Sequence, residues 1–428
     1  MNDIATVFAS TLSQENAVIP WENLELAPKN LIQAAINPES HPSCIVYPEN
    51  ASQLAEVMAI AHQRQWRVLS CGNGSKLNWG GLSNRIDVVV STQRLNRIIE
   101  HAVGDLTVTV EAGMEFAQLQ AILGKFQQAI ALDPSNPNSA TIGGIIATAD
   151  TGSLRQRYGG VRDHLLGITF VRADGQIAKA GGRVVKNVAG YDLMKLFTGS
   201  YGTLGIITQV TLRVYPIPES SGTVVLTGKS ISISQAASIL RTSDFTPTQA
   251  DLLSSQLVTQ LGLGQGMGLI VRFWSIQESV KEQSNRLLAI GQKLGLDQKV
   301  YLEEDEVNLW RKLPDHMHSS ADESVITCKI GVLPTAAVEV LTNVQLGMIH
   351  LGSGVGLIRA KDKIQVLSLR QLCQSHGGFL TVLTAPVKLK ESLDIWGYPG
   401  NALNLMGGIK QQFDRNNILS PGRFVGGI

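Results

Sequence analysis

Three glycine-rich stretches constrain this chain most, because each follows a strand-like run and each needs backbone turns that side chains obstruct. They read SCGNGSK over residues 70–76, SATIGGIIATADTG over 139–152 and VKNVAGYDLMKLFTGSYGTLGIIT over 185–208. Glycine is costly inside regular structure, so such spacing marks places where something comes close to the main chain. In the first stretch, Gly72 and Gly74 free the backbone so that successive N–H groups converge into a nest, which binds an anion and most often phosphate. In the second, Thr141 is placed to begin a helix, and Gly143 and Gly144 open its first turn, where free N–H groups and the dipole favour negative charge. The third carries Gly190, Gly199, Gly202 and Gly205 with almost no charge, and ends in an apolar run from Leu204 to Ile207. A single glycine loop after a strand is most often a plain turn. Two anion-seeking loops in one domain suit a pyrophosphate, and the apolar run suits the cover of a flat ring.

The pattern around these loops is mixed. Residues 1–36 read as a helical lead-in. CIVYP and WRVLS read as strands on either side of a helix, ENASQLAEVMAIAHQRQ, with Asn50 as N-cap and Leu54, Val57, Met58 and Ala61 on one face. That is a βαβ unit closing on the first glycine loop. LLGITFVRADGQIAKA reads as two strands turning at Asp174-Gly175. Pro216 and Pro218 mark a boundary near residue 218, after which strand–helix pieces recur as in GTVVLTG with ISQAASILRT. This second region is expected to be an antiparallel sheet with helices on one face.

Several functions are excluded. Net charge is +1 with no basic run, so the electrostatic footprint of nucleic-acid binding is missing. No apolar stretch reaches the length of a membrane span, and the N-terminal residues lack the basic region of a signal peptide. Cys44, Cys71, Cys328 and Cys373 form no C-x-x-C pair; they read as reduced thiols of a cytosolic protein with no cluster ligand set. No P-loop and no G-x-G-x-x-G between strand and helix is present, so a dinucleotide here is not held by a Rossmann turn. No metal site is expected: His316 and His318 in DHMHSS read as a solvated loop, and His376 as a residue at a helix end. Lys186, Tyr191 and Asp192 either face a ligand or tie the third stretch down.

The residues LSCGNGSK, PNSATIGGIIATADTGSLRQRYGGVRDHLLGITFVRADGQI, VVKNVAGYDLMKLFTGSYGTLGIITQVTLRVYPIP and the terminal FDRNNILSPGRF resemble, in that order, the PCMH-type FAD-binding domain of the vanillyl-alcohol oxidase superfamily. Within it, the likeness is to the glycolate oxidase (glycolate dehydrogenase) group, and there to its E-type subunit. The resemblance implies an α+β fold: a two-lobed PCMH-type FAD-binding domain over 37–218, an α+β cap domain with antiparallel sheet over 219–399, and a segment over 400–428 returning to the FAD domain. It implies that Cys71, Gly72, Asn73, Gly74 and Ser75 hold the pyrophosphate through backbone N–H groups. Pro134, Ser139, Thr141, Ile142, Gly143 and Gly144 would line the flavin with Ala147 nearby, and Gly205 to Ile207 would contact adenosine or ring edge.

The chain departs from that pattern in three places. The first loop has no histidine, so FAD is expected to be non-covalent. Tyr201 stands where hydroxy-acid-oxidising relatives carry Glu, and no HxGDGNxH-like motif is found in the cap. The resemblance therefore implies an FAD-binding subunit that works with a sister flavoprotein subunit and an iron–sulfur subunit, cytoplasmic or membrane-associated through that complex. A self-sufficient 2-hydroxy-acid dehydrogenase is the alternative, with Lys186, His376 or Arg423 as base or carboxylate clamp; a flavin-fold scaffold is the third reading.

Overall fold

The computed structural model describes residues 4–12, 14–182, 190–318 and 325–428; Lys186 and the side chain of His318 lie outside the described residues. Two compact units emerge: residues 1–151, 160–216 and 400–428 form one, and 152–159 with 217–399 form the other. Compared with the expected limits, the short segment Gly152–Gly159 counts with the second unit.

Among the described residues the first unit holds two larger sheets and a two-stranded ribbon. One has strands β1 (Val18–Pro20), β2 (Cys44–Val46), β3 (Val68–Cys71) and β4 (Val88–Ser91) in the order β1-β2-β4-β3. The lead-in is therefore not wholly helical: beside helices Ile4–Thr11 and Leu26–Gln33 it supplies β1, antiparallel to β2. The βαβ unit forms, and its two strands flank β4 in parallel rather than pairing with each other. Its helix spans Ala51–Arg64 and is capped by Asn50, whose Oδ1 accepts from the Gln53 N–H at 3.0 Å. Leu54, Val57, Met58 and Ala61 are buried with Cys44, Val46, Val88 and Val90, while Ile45, Leu69 and Val89 pack into a separate cluster on the opposite face, as strand alternation requires. Full burial of each large side chain in such a face contributes about 1.5–3 kcal/mol.

The other sheet of this unit is antiparallel throughout. It contains β5 (Ile98–Ala102), β6 (Thr107–Glu111), β8 (Leu165–Val171), β9 (Ile177–Gly181) and β10 (Ile206–Arg213), ordered β5-β6-β10-β8-β9. The third glycine stretch thus feeds its central strand. A two-stranded ribbon joins β7 (Gln128–Ala129) to β11 (Tyr215–Pro216). The Asp174-Gly175 turn links β8 and β9, with Gly175 at φ +85° and the Arg172 N–H donating to Gln176 O at 2.9 Å.

The second unit is an eight-stranded antiparallel sheet of β12 (Ser220–Gly228), β13 (Gln249–Leu253), β14 (Met267–Ser275), β15 (Asp297–Tyr301), β16 (Ile326–Gly331), β17 (Gly347–His350), β18 (Val355–Ala360) and β19 (Phe379–Thr384). The order is β15-β12-β14-β13-β17-β18-β16-β19. Helices cover both faces, not one. Val224, Leu226, Leu269 and Val271 pack against helices Ser230–Thr242, Gln277–Lys293 and Lys363–Ser375, whereas Val225 and Ile270 pack against Ser255–Gln260 and Glu303–His318. The cause is in β12 and β14, whose apolar runs are buried on alternate sides and so need cover on each. DHMHSS is accordingly not a loop at its start: His316 sits in the last turn of Glu303–His318 and its Nδ1 lies 2.9 Å from Lys312 O.

Candidate functional site

The three glycine stretches converge on a cavity of about 90 Å³ in the first unit, open to solvent. Its wall includes Cys71, Gly72, Asn73, Gly74, Ser75, Thr141, Gly143, Gly144, Ala147, Gly205 and Ile207. Pro134, Ser139 and Ile142 are not part of that wall: Ser139 faces solvent, Pro134 is buried elsewhere, and the Ile142 side chain lies in the core beside Met114 and Leu119.

The first loop leaves β3 and turns with Gly74 at φ +79°. A Cβ on Gly72 would run into Thr141 Oγ1, so the first and second stretches touch there. Asn73 Nδ2 donates to Glu115 Oε1 at 2.7 Å and ties the loop to the start of helix Phe116–Gly124. The backbone N–H groups from Gly72 to Lys76 find no acceptor among the described residues, although the carbonyls of Cys71 and Gly72 are bonded to Thr92 and Ser91. Unclaimed, adjacent N–H groups at the end of a strand are what the expected anion nest requires.

The second stretch differs from expectation. Helix Ile142–Thr148 forms with Thr141 as N-cap, but its first N–H groups are taken. Ile142 donates to Met114 O at 2.9 Å, Gly143 to Ala112 O at 2.7 Å and Gly144 to Thr141 Oγ1 at 3.3 Å. This helix end therefore offers no free donors to an anion. Gly143 is a glycine because the helix sits hard against the end of β6: a Cβ there would lie 2.8 Å from Ala112 Cβ and 3.0 Å from Ala112 O. Gly144 faces the cavity, and its Cβ would meet only Thr141 Oγ1, at 3.1 Å. Gly205 is also pressed by protein, with Val171 O at 3.0 Å and Phe170 and Phe197 each at 3.1 Å.

Sequence reading did not assign a site role to several wall residues, Lys76, Leu77, Thr92, Thr148 and Ser200 among them. Lys76 is 6% exposed and its Nζ lies 3.3 Å from Asp150 Oδ2. Arg423, brought in by the C-terminal segment, is 4% exposed and donates to the carbonyls of Leu77 at 2.7 Å and Lys76 at 3.4 Å. Burial draws the Arg423 guanidinium down to about 10, so it remains charged at neutral pH. Burial pushes the Cys71 thiol up to about 12, with the Ser91 hydrogen bond opposing, and raises the Tyr201 phenol above its ordinary value. Both stay protonated at neutral pH. Tyr201 holds a left-handed φ of +54°, and its N–H donates to Ala147 O at 2.8 Å. Of the other two candidate bases, Lys186 lies outside the described residues. His376 ends helix Lys363–Ser375 in the second unit, 3.4 Å from Glu339 Oε1.

The residues present fit an FAD pyrophosphate on the first loop. Among the described residues no cluster of His, Cys, Asp or Glu is placed to hold a metal ion, and no helix is long and apolar enough to cross a membrane. The family model described as "FAD binding domain" matches residues 42–181. The chain is 27% identical over 293 residues to the mitochondrial D-lactate dehydrogenase [cytochrome] of Arabidopsis thaliana, covering 66% of this chain and 51% of that protein. It is 32% identical over 187 residues to glycolate oxidase subunit GlcD of Bacillus subtilis, covering 44% of this chain and 40% of the relative. The chain thus spans about half the length, or less, of these two relatives. Among solved structures, 4-ethylphenol oxidase from Gulosibacter chungangensis superposes with a TM-score of 0.74 at 15% identity, covering 98% of this chain and 96% of that one, which shows the shared fold. Residues 42–181 thus match an FAD-binding domain, in a chain that shares the fold of 4-ethylphenol oxidase.

Proposed function

We propose that this chain is an FAD-dependent oxidoreductase that takes part in oxidising a 2-hydroxy acid, as the FAD-binding subunit of a glycolate oxidase/dehydrogenase-like complex that passes electrons to a partner. The relatives named for D-lactate and glycolate oxidation support the substrate class. The observation that carries the subunit reading is the cavity wall: among the described residues it contains no carboxylate and no imidazole. Its phenol and thiol are held neutral by burial. FAD would supply a two-electron acceptor, and Cys71 to Ser75 would present N–H groups to its pyrophosphate without a covalent bond. Gly144, Ala147 and Ile207 would pack against it. A group that takes the substrate's hydroxyl proton is then to be sought on a sister flavoprotein subunit.

Electron exit points the same way. Cys44, Cys328 and Cys373 are buried, so the four thiols do not form a ligand set, and an iron–sulfur subunit is the acceptor this reading requires. Tyr201 in place of an acid, and the missing cap histidine motif, support the E-type role beside a sister subunit that carries the substrate chemistry. This reading puts the protein in the cytoplasm, or at a membrane through its complex. Arg423 favours a second reading, the self-sufficient dehydrogenase, because a buried guanidinium at the wall is suited to a substrate carboxylate.

The purified chain is expected to be yellow and to keep its flavin oxidised when glycolate or D-lactate is added without oxygen. Bleaching is expected once the sister subunit is present. Bleaching by the chain alone would establish the second reading, and a colourless chain that takes up no FAD would leave only a scaffold.

A further inference from the structure

We propose that Lys76 is a side-chain anchor for the diphosphate of the bound dinucleotide, adding a buried positive charge to a loop that otherwise offers backbone N–H groups alone. The inference rests on the FAD reading above and extends it to one residue. Lys76 closes the run of unclaimed N–H groups, so its side chain is rooted at the phosphate end of the cavity. It is 6% exposed, and its Nζ makes no hydrogen bond although it lines the cavity.

Its one ionic neighbour does not exhaust it. Asp150 Oδ2, 3.3 Å away, already accepts from the Ser135 N–H at 2.9 Å, and Oδ1 accepts from Ser135 Oγ at 3.1 Å. The Trp79 ring, 6.0 Å from Nζ and 5% exposed, covers the ammonium without accepting a conventional hydrogen bond from it. A buried ammonium with unspent donors is costly, and anionic oxygens entering the cavity relieve that cost. Arg423 directs three of its five N–H donors to the carbonyls of Lys76, Leu77 and Gly81, which keeps these carbonyls turned to protein. The charged side chains of the cavity wall, among the described residues, are Lys76 and Arg423, both cationic, which suits a diphosphate.

The test is calorimetric titration of the full-length apoprotein with FAD, ADP and riboflavin. Lys76→Met is expected to weaken FAD and ADP by about 10- to 100-fold, the range for a charged hydrogen-bond partner, and to leave riboflavin, which has no phosphate, unchanged. Lys76→Arg is expected to restore most of the loss. Lys76→Met combined with Asp150→Asn leaves no unpaired buried acid, and is expected to show the same selective loss even if the single variant folds poorly. Equal ADP affinity in wild type and variants would overturn the anchor while the FAD reading stands; so would riboflavin weakening in step with ADP. Wild type binding neither FAD nor ADP would bring down both.

Discussion

Gly143 and Gly144 are neighbours in sequence with opposite surroundings in the fold. A side chain at 143 strikes Ala112, whereas one at 144 enters the cavity. Gly143→Val is therefore expected to destabilise the fold by about 1–3 kcal/mol, the usual effect of overpacking, read from urea unfolding of the apoprotein. Gly144→Val is expected to keep the wild-type unfolding midpoint and to weaken FAD about tenfold or more, equivalent to about 1.4 kcal/mol. The sequence shows that both positions are glycine; which one meets ligand depends on how the helix docks on Ala112. The buried thiols offer a second residue-scale check. Burial pushes Cys71 and Cys328 up to about 12 and Cys373 up to about 11. An unfolded thiol ionises near about 8.5, so above that pH the unfolded chain binds fewer protons than the folded one and stability falls as pH rises. The urea midpoint is expected to decline between about pH 8.5 and 11, and at pH 8 iodoacetamide should label the buried Cys328 and Cys373 only in urea, as mass spectrometry reads out.

At the scale of elements, short-range signals were legible where one face decided burial. The Asn50 cap and the Leu54, Val57, Met58, Ala61 face follow from spacing alone, and Asn50→Ala is expected to cost about 1 kcal/mol in urea unfolding. The second sheet was less legible. Continuous apolar runs in β12 and β14 conceal their alternation, so helices on the far side went unseen, and DHMHSS read as a loop although helix Glu303–His318 runs through Pro314 to reach it. The C-terminal helix Leu403–Phe413 shows a connection that no local pattern carries. Lys410 Nζ, buried, donates to Thr203 O at 2.9 Å, Leu419 O at 2.8 Å and Asp414 Oδ2 at 2.7 Å. It binds the C-terminal segment to the third glycine stretch. Lys410→Met leaves the Asp414 charge buried, and is expected to lose about 3–5 kcal/mol of stability.

Across the whole chain, the first unit is assembled from distant pieces. Val68 on β3 donates to Ile418 O at 2.7 Å and accepts from the Ser420 N–H at 2.8 Å, so the last residues of the chain extend the sheet that launches the first loop. Deleting residues 400–428 is expected to give a colourless protein whose first-unit calorimetric transition is lost while that of the second unit persists. Glycine spacing and strand and helix periodicity were enough to mark the βαβ unit and two anion-seeking loops, because they express local φ/ψ freedom and local amphipathicity; FAD itself entered through the resemblance of four motifs in order. Which donors stay free depended on partners from far along the chain. Met114 and Ala112 silence the second stretch, while no acceptor among the described residues claims the N–H groups of the first. Lys76 acquires its burial from Trp79 and its loose partner from Asp150, and Arg423 reaches the loop from the other end of the sequence. Hydrogen-bond supply and burial are sums over everything that packs nearby, so they existed only once the chain had closed on itself.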